Sequence, residues 1–305
     1  MAPPPASVQR GFPLERLTTV RAGGPAEFFA RAGGEEELVE LLAWAEEEGI
    51  EVGVVGSGSN LLVADDGVRG LVLKLDRDLA KIEQDGRHLE CGGGARLPAV
   101  SARAAQAGLS GIEFGVNIPG TVGGAVRMNA NAYGGELARA LVWVTVATAR
   151  GAGRREPSEL GLSYRRSGLR AGEVVSRARF ALDPAPSEKV KETLAGMRAQ
   201  RKAAQPSGIK TFGSTFTNPD DPRAEGRTAG QLLEAAGCRG LRIGGAGFSE
   251  KHANFVENHG EASTADILAV MAAGRRRVWE RCGIELEPEV QMLGDVHLPP
   301  DWKLA

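Results

Sequence analysis

The chain has 305 residues, enough for two or three domains with a sizeable core. Its 42% hydrophobic and 25% charged content is ordinary for a soluble globular protein, and a formal net charge of −2 gives no electrostatic case for nucleic acid or an anionic membrane as partner. Cys91, Cys238 and Cys282 form no CxxC pair and join no His/Cys cluster of ligand spacing, which predicts free, mostly buried thiols in a reducing compartment and no metal site.

In chain order, the lead MAPPPASVQRGFPLER has no apolar centre, so no secretory signal is expected. No run approaches the ~20 apolar residues of a membrane span, and the expected location is cytoplasmic. Residues 18–33, TTVRAGGPAEFFARAG, read as strand, Gly-Gly-Pro turn, strand. Residues 34–49 read as an amphipathic helix, with Glu35, Glu36 and Glu37 favoured by the dipole of its first turn and Leu38, Leu41, Leu42 and Ala45 on its buried face. EVGVVGSGSNLLVADDGVRGLVLKL (51–75) fails as a Rossmann fingerprint, because Leu61 stands where the third glycine belongs and LLV continues as a strand. Two readings stay open there: a tight hairpin turn, or a turn in which Ser57, Ser59 and Asn60 hydrogen-bond a pyrophosphate.

ECGGGARL (90–97) leads into a helix, LPAVSARAAQAGL, and then into residues 114–136, FGVNIPGTVGGAVRMNANAYGGE. That segment fits no helix or strand, yet it keeps Phe114, Val116, Ile118, Val122, Val126 and Tyr133 among its glycines. Glycine lets backbone N–H groups approach a ligand without a Cβ in the way, and successive N–H groups bind phosphate. Asn117, Asn129 and Asn131 add amides that can read a polar ring edge. The segment predicts a wall around a dinucleotide. Residues 141–149 and 173–182 read as strands by β-branched content and alternation, and 187–204 as a charged helix ending before Pro206. A short helix from Thr228 to Gly237, a strand FVEN (255–258), a final helix capped by Thr264 with a solvated Arg275–Arg277 run, and a closing strand IELEPEVQML (284–293) complete an α+β pattern.

Three places offer chemistry. Tyr164-Arg165-Arg166-Ser167 lies between strands and is either a solvated turn or a guanidinium fork for a carboxylate or phosphate. GSTFTNP (213–219) carries Ser214 but has Phe216 where a lipase elbow needs glycine. Glu285, Glu287 and Glu289 alternate and so face one way, with Pro288 marking an edge or strand end. Lys251-His252 sits in GGAGFSEKHANFVEN (244–258), equally a substrate loop or a surface loop, and no histidine has triad context.

Taken in order, TTVRAGGPAEFF, GSGSNLLV, GIEFGVNIPGTVGGAVRMNANAYGG, YRRSGL, GSTFTNP, AGQLLEAAGCRG, GGAGFSEKHANFVEN and LEPEVQMLG closely resemble the UDP-N-acetylenolpyruvoylglucosamine reductases of peptidoglycan synthesis and cover nearly the whole chain. The resemblance implies a vanillyl-alcohol-oxidase-type FAD-binding fold in two subdomains, 1–75 and 76–203, plus a smaller C-terminal α/β substrate domain, 204–305, whose final strand returns to the flavin site. It implies FAD, NADPH as reductant and a UDP-sugar substrate. No histidine or cysteine falls in a flavin-attachment context, so the FAD is expected to be noncovalent, and a monomer with no nucleic-acid or membrane partner is expected. Carried over by motif, Arg165, Ser214 and Glu289 are catalytic. Hydride from flavin N5 reaches the terminal CH2 of the enolpyruvyl ether, Arg165 and a protonated Glu289 stabilise the enediolate-like charge, and Ser214 gives its proton to C2, yielding UDP-N-acetylmuramate. The implied cofactor residues are Val55, Gly56, Ser57, Gly58, Ser59, Asn60, Leu61, Asn117, Pro119, Gly120, Thr121, Gly123, Gly124, Ala125, Asn129 and Tyr133. The implied substrate residues are Tyr164, Asn218, Lys251, His252 and Asn254. Asn131 stands where the family often has glycine, Thr217 where some members have lysine, and the length matches the shorter form that lacks a tyrosine-bearing gating insertion. Other readings are an FAD oxidoreductase of the same fold acting on a small alcohol or 2-hydroxy acid, which leaves GSTFTNP and LEPEV unexplained, and a non-catalytic flavoprotein, which the Arg165/Ser214/Glu289 set argues against.

Overall fold

A computed structural model describes residues 3–304. The chain forms two compact units, both discontinuous: residues 1–11, 27–57 and 69–201 make the first, and 12–26, 58–68 and 202–305 the second.

The first unit is built on two sheets. A four-stranded sheet has the order Gln9–Pro13, Pro25–Ala32, Val68–Leu75, Val52–Val54, with the last two parallel. Helix Glu35–Glu47 follows the predicted pattern. It buries Leu38, Leu41, Leu42, Trp44 and Ala45 against Phe28, Ala30, Leu71 and Leu73. A five-stranded antiparallel sheet has the order Gly151–Arg155, Leu141–Thr148, Val174–Ala181, His88–Gly92, Ile82–Asp85. Its core joins Leu89, Val144, Val146 and Phe180 to the helices Leu97–Gln106 and Val122–Arg127 through Leu97, Val100, Val122 and Val126.

In the second unit, helices Ala229–Ala235 and Thr264–Cys282 share a core with the small sheet Arg242–Ile243, Ala246–Phe248, Val256–Asn258. Phe212, Phe216, Leu233, Phe248, Ile267, Met271 and Leu286 fill that core. Strand Leu61–Val63 runs parallel to Gln291–Leu293 in the same unit.

Several expectations change. Residues 18–24 form no strand; Thr18 turns its hydroxyl onto the Ala22 carbonyl (3.2 Å) and Arg21 takes φ +59°, while the partner of Pro25–Ala32 comes from Gln9–Pro13 instead. Residues 114–136 do contain regular structure: a 3-10 turn at Glu113–Asn117, the helix Val122–Arg127, and a two-residue hairpin pairing Asn131–Ala132 with Gly135–Glu136. Glycine there lowers helix propensity, but the Thr121 cap and the packing of Val122 and Val126 outweigh it. The final helix is capped by Ser263, whose hydroxyl accepts from the Asp266 N–H at 3.0 Å, not by Thr264. Thr264 instead donates its hydroxyl to the Val63 carbonyl (2.6 Å) and its N–H to Asp65 (2.7 Å). Arg275 is not solvated but buried: its guanidinium donates to the Leu286 and Trp302 carbonyls and to Glu285, and lies over the Trp302 ring. The closing strand is confined to Gln291–Leu293, because Glu287 and Glu289 spend their backbone groups on residues 215–217 instead. Among the described residues no helix is long and apolar enough to cross a membrane.

Candidate active site

In the first unit, glycines allow main-chain segments to pass at distances that side chains forbid. A Cβ on Gly56 would lie 2.5 Å from the Thr121 hydroxyl, and one on Gly93 would lie 1.9 Å from the Val175 carbonyl. The Gly56–Ser57 turn is tied to the glycine-rich segment by the Ser57 hydroxyl, which donates to the Pro119 carbonyl. Val55 next to it donates to Leu73 (2.8 Å). Some predicted cradle amides are committed internally: the Val122 N–H donates to Ala95 (2.9 Å) and the Gly123 N–H to Gly93 (2.7 Å). The Gly124 N–H is committed as well, to the Thr121 hydroxyl at 3.4 Å. A Cβ on Gly120 would meet only Ile118 at 3.6 Å, which leaves the main chain there open to close approach. Ala125 and Val126 face the core beneath.

These residues fit a noncovalently held dinucleotide. Lys74 donates to the Gly56 carbonyl and so braces the turn, and burial, aided by Arg31 and Arg96 and opposed by Asp76, lowers its pKa. The Asn129 amide oxygen is buried without a hydrogen-bond partner in this structure, an acceptor suited to a ring N–H or ribityl hydroxyl. Burial pushes the Cys91 thiol up to about 12 and the Cys238 thiol up to about 11, so neither is the thiolate that attachment to a flavin would need. Asn117 is used inside the unit, donating to the Tyr133 hydroxyl (3.0 Å) and the Met197 carbonyl (2.8 Å); Tyr133 itself is exposed with φ +52°.

The predicted arginine turn is a tight hairpin in the same unit. Ser163 and Arg166 exchange both backbone bonds (3.0 and 3.1 Å), leaving Tyr164 and Arg165 at the tip, with Arg165 at φ +56°. The glycine-rich segment holds it in place: Asn129 donates to the Ser163 carbonyl (3.1 Å), Arg165 donates to the Asn131 carbonyl (3.2 Å), and Ser167 donates to the Arg127 carbonyl (2.8 Å). Asn131 serves through its main chain, so its departure from the family glycine leaves this contact available.

In the second unit, Ser214 and Glu289 lie on two irregular segments that pair through their backbones. The Thr217 N–H donates to the Glu287 carbonyl and the Glu289 N–H to the Thr215 carbonyl, each at 2.9 Å, with Phe216 bridged to Pro288. Thr217 also turns its hydroxyl onto Glu287 (3.3 Å). On the other side Ser214 bridges Phe255. Asn254, expected at the substrate, has its amide occupied by the Phe216 backbone, accepting from its N–H and donating to its carbonyl at 2.9 Å each. It works as a one-residue strand that fixes the serine segment. Asn218 is exposed and accepts from the Ala229 N–H (3.1 Å), and exposed Lys251 donates to the Lys202 carbonyl (2.7 Å). Gly58, Ser59, Asn60 and Leu61 belong to this unit, where Gly58 accepts from Thr19 and Asn60 donates to the Glu289 carbonyl.

His252 is half-buried, edge-on to Phe255 with ring centres 4.9 Å apart, and its Nδ1 accepts from the Asn254 N–H at 3.2 Å. Burial lowers its pKa below the ordinary 6.5. The unfolded chain therefore takes up a proton first as pH falls, so stability is full above about 6.5 and declines below it, toward the depressed folded value. Urea midpoints measured from pH 7.5 to 5.5 should fall less steeply in His252→Gln than in the native chain.

Sequence reasoning missed Lys74, which looks like an ordinary strand lysine, and the roles of Asn60 and Asn254, whose partners lie 229 and 38 residues away. Their only signal is asparagine within or beside a strand, where its propensity is poor.

Comparison with known proteins adds the rest. Residues 26–155 match the family model described as FAD binding domain, and residues 205–293 match the one described as UDP-N-acetylenolpyruvoylglucosamine reductase, C-terminal domain. A UDP-N-acetylenolpyruvoylglucosamine reductase of Anaeromyxobacter sp. (strain Fw109-5) is 43% identical, covering 95% of this chain and 90% of its own. One from Symbiobacterium thermophilum is 42% identical, covering 95% and 93%. The crystal structure of UDP-N-acetylenolpyruvylglucosamine reductase from Thermus caldophilus matches with a TM-score of 0.81 at 37% identity, over 94% of this chain and 98% of that one.

Proposed function

The chain belongs to the UDP-N-acetylenolpyruvoylglucosamine reductase family, and from that premise we propose which of its residues carry the reaction. It is an FAD-containing, NADPH-dependent oxidoreductase, a UDP-N-acetylmuramate dehydrogenase, that reduces UDP-N-acetylglucosamine enolpyruvate in peptidoglycan precursor synthesis. Its fold is the vanillyl-alcohol-oxidase-type FAD-binding fold in two subdomains with a smaller C-terminal α/β domain. The small-alcohol reading is not favoured, since the match at 205–293 covers the part it left unexplained.

When bound, FAD supplies the two-electron relay between NADPH and the enolpyruvyl double bond. The residues do the rest. Arg165, presented at the tip of a hairpin, offers its guanidinium to the substrate carboxylate, where charge grows as the double bond is reduced. Glu289, in its protonated form, hydrogen-bonds the same developing charge. Ser214 delivers its hydroxyl proton to C2. The observation that supports this assignment is the backbone pairing of residues 215–217 with 287–289, which runs the segment after Ser214 alongside the one that carries Glu289. Tyr164, Asn218, Lys251 and His252 are assigned to the UDP-sugar. Asn254 supports Ser214. Val55, Gly56, Ser57, the main chain of Gly58–Leu61, Asn117, Pro119, Gly120, Thr121, Gly123, Gly124, Ala125, Asn129 and Tyr133 are assigned to forming or bracing the FAD site. The division 1–75, 76–203 and 204–305 belongs to the same proposal and is supported by the family matches at 26–155 and 205–293. A cytoplasmic monomer with no nucleic-acid or membrane partner completes it.

Anaerobic NADPH oxidation by the purified yellow protein tests the reaction. Sustained oxidation is expected only with UDP-N-acetylglucosamine enolpyruvate, and a small alcohol or 2-hydroxy acid, itself an electron donor, should not bleach the flavin in place of NADPH. Turnover indifferent to the sugar nucleotide contradicts it.

A further inference from the structure

The second unit holds the Glu289 peptide on every side. Its N–H donates to the Thr215 carbonyl at 2.9 Å, and its carbonyl accepts from the Asn60 amide at 3.1 Å and from the Gln291 side-chain amide at 3.2 Å. Asn60 is gripped in return, because the Gln291 N–H donates to the Asn60 carbonyl at 3.1 Å and starts the parallel pairing of Leu61–Val63 with Gln291–Leu293. The N–H and C=O of Glu289 belong to the two peptide planes that flank its Cα, and holding both planes fixes the Cα–Cβ direction, and with it the entry angle of the side chain.

The sequence presents Asn60 as part of a cofactor turn. Its side chain points elsewhere in the bonding pattern, at the peptide of the proposed acid. We propose that the Asn60 side chain is a positioning residue for Glu289, leaving only the main chain of residue 60 to the cofactor turn. This rests on the catalytic reading of Glu289 given above. The loss of one bond does not unfold the strand pair, which keeps its Thr215 and Gln291 contacts; it loosens the peptide plane. Positioning at this level is costly to lose, because a displacement of ~1 Å near the reacting atoms is worth about 10² in rate.

The test uses the yellow holoenzyme and separates two half-reactions by anaerobic stopped flow: bleaching by NADPH, and return of the flavin absorbance on adding UDP-N-acetylglucosamine enolpyruvate. Asn60→Ala, and Asn60→Asp, which keeps the size but loses the donor when ionised, are each made alone and together with Glu289→Gln. Both single variants should keep native FAD affinity, measured by flavin fluorescence, and a native bleaching rate, which also shows that they fold. The return of absorbance should slow by about 10–10² in either one. In the Glu289→Gln background the same changes should cost less than about twofold, since a positioning effect disappears with the group it positions. Weakened FAD binding with an unchanged return rate overturns the proposal in favour of a cofactor side-chain contact. Equal slowing in both backgrounds overturns it too, because the effect then does not run through Glu289. Native return in Glu289→Gln alone removes the underlying catalytic reading, and this inference with it.

Discussion

Ser214→Ala is expected to leave the bleaching of the flavin by NADPH intact and to slow its reoxidation by the enolpyruvyl substrate by about 10²–10⁴, the usual worth of a positioned proton transfer. The substitution is clean in structural terms. Ser214 belongs to the serine segment through its backbone, which bridges Phe255, and the flanking pairing of Thr215 and Thr217 with residues 287–289 uses main-chain atoms and the Thr217 hydroxyl, none of them from the Ser214 side chain. Alanine keeps all of these. Gly213, at φ +84°, still makes the bend that presents residue 214. What disappears is the one O–H proposed to give C2 its proton. A hydroxyl is a weak acid, but the carbon it protonates is far more basic than the alkoxide left behind, so the step runs downhill once charge has been delivered. Stopped-flow traces of the two half-reactions read the result directly. A variant with native reoxidation takes Ser214 out of the proton path.

The largest stability effect should come from Asn254→Ala. Asn254 is 5% exposed and Phe216 is 1% exposed, so the Phe216 N–H and C=O that the amide satisfies have no route to water. Removing the amide strands both. At about 1–3 kcal/mol for each buried unpaired group, the cost is about 2–6 kcal/mol, a large share of the ~5–15 kcal/mol that holds a typical domain. The loss should register in urea unfolding as an early transition of the second unit, with tryptophan fluorescence from Trp279 and Trp302 as a local probe. Since Phe216 lies two residues beyond Ser214, reoxidation by the substrate should slow as well, while bleaching by NADPH persists. A shift below about 1 kcal/mol would falsify the strand-like role assigned to this side chain.

Much of this was legible before the structure. The helices Glu35–Glu47, Leu97–Gln106 and Ser187–Ala204 and the strands Leu141–Thr148 and Val174–Ala181 lie where periodicity and β-branched content place them. These elements bury one face and carry local signals. Gly151–Arg155 was missed because GAGRR has no β-branched residue; it is a strand only because Leu141–Thr148 offers it a ladder. Residues 284–290 failed in the opposite way. Their alternation is real, with Ile284 and Leu286 buried between exposed Glu285 and Glu287, yet the backbone pairs with an irregular segment and not with a sheet. Arg275 shows the same limit: charge in an Arg-Arg-Arg run reads as solvated until Leu286 and Trp302 supply carbonyls for it. At the site, residue types were legible and their duties were not. Asn254, Asn117 and Asn60 are amides that suit a ligand, and each one spends its amide on backbone or side-chain partners from elsewhere in its unit.

The most direct measurement is the mass of the sugar nucleotide after anaerobic incubation of the enzyme with UDP-N-acetylglucosamine enolpyruvate and one equivalent of NADPH. The predicted product is heavier by two hydrogens, formed in step with NADPH consumed, and Ser214→Ala should yield almost none on the same time scale. NADPH consumed with the sugar nucleotide returned at its starting mass would contradict the account, since the electrons would then have gone to a different acceptor.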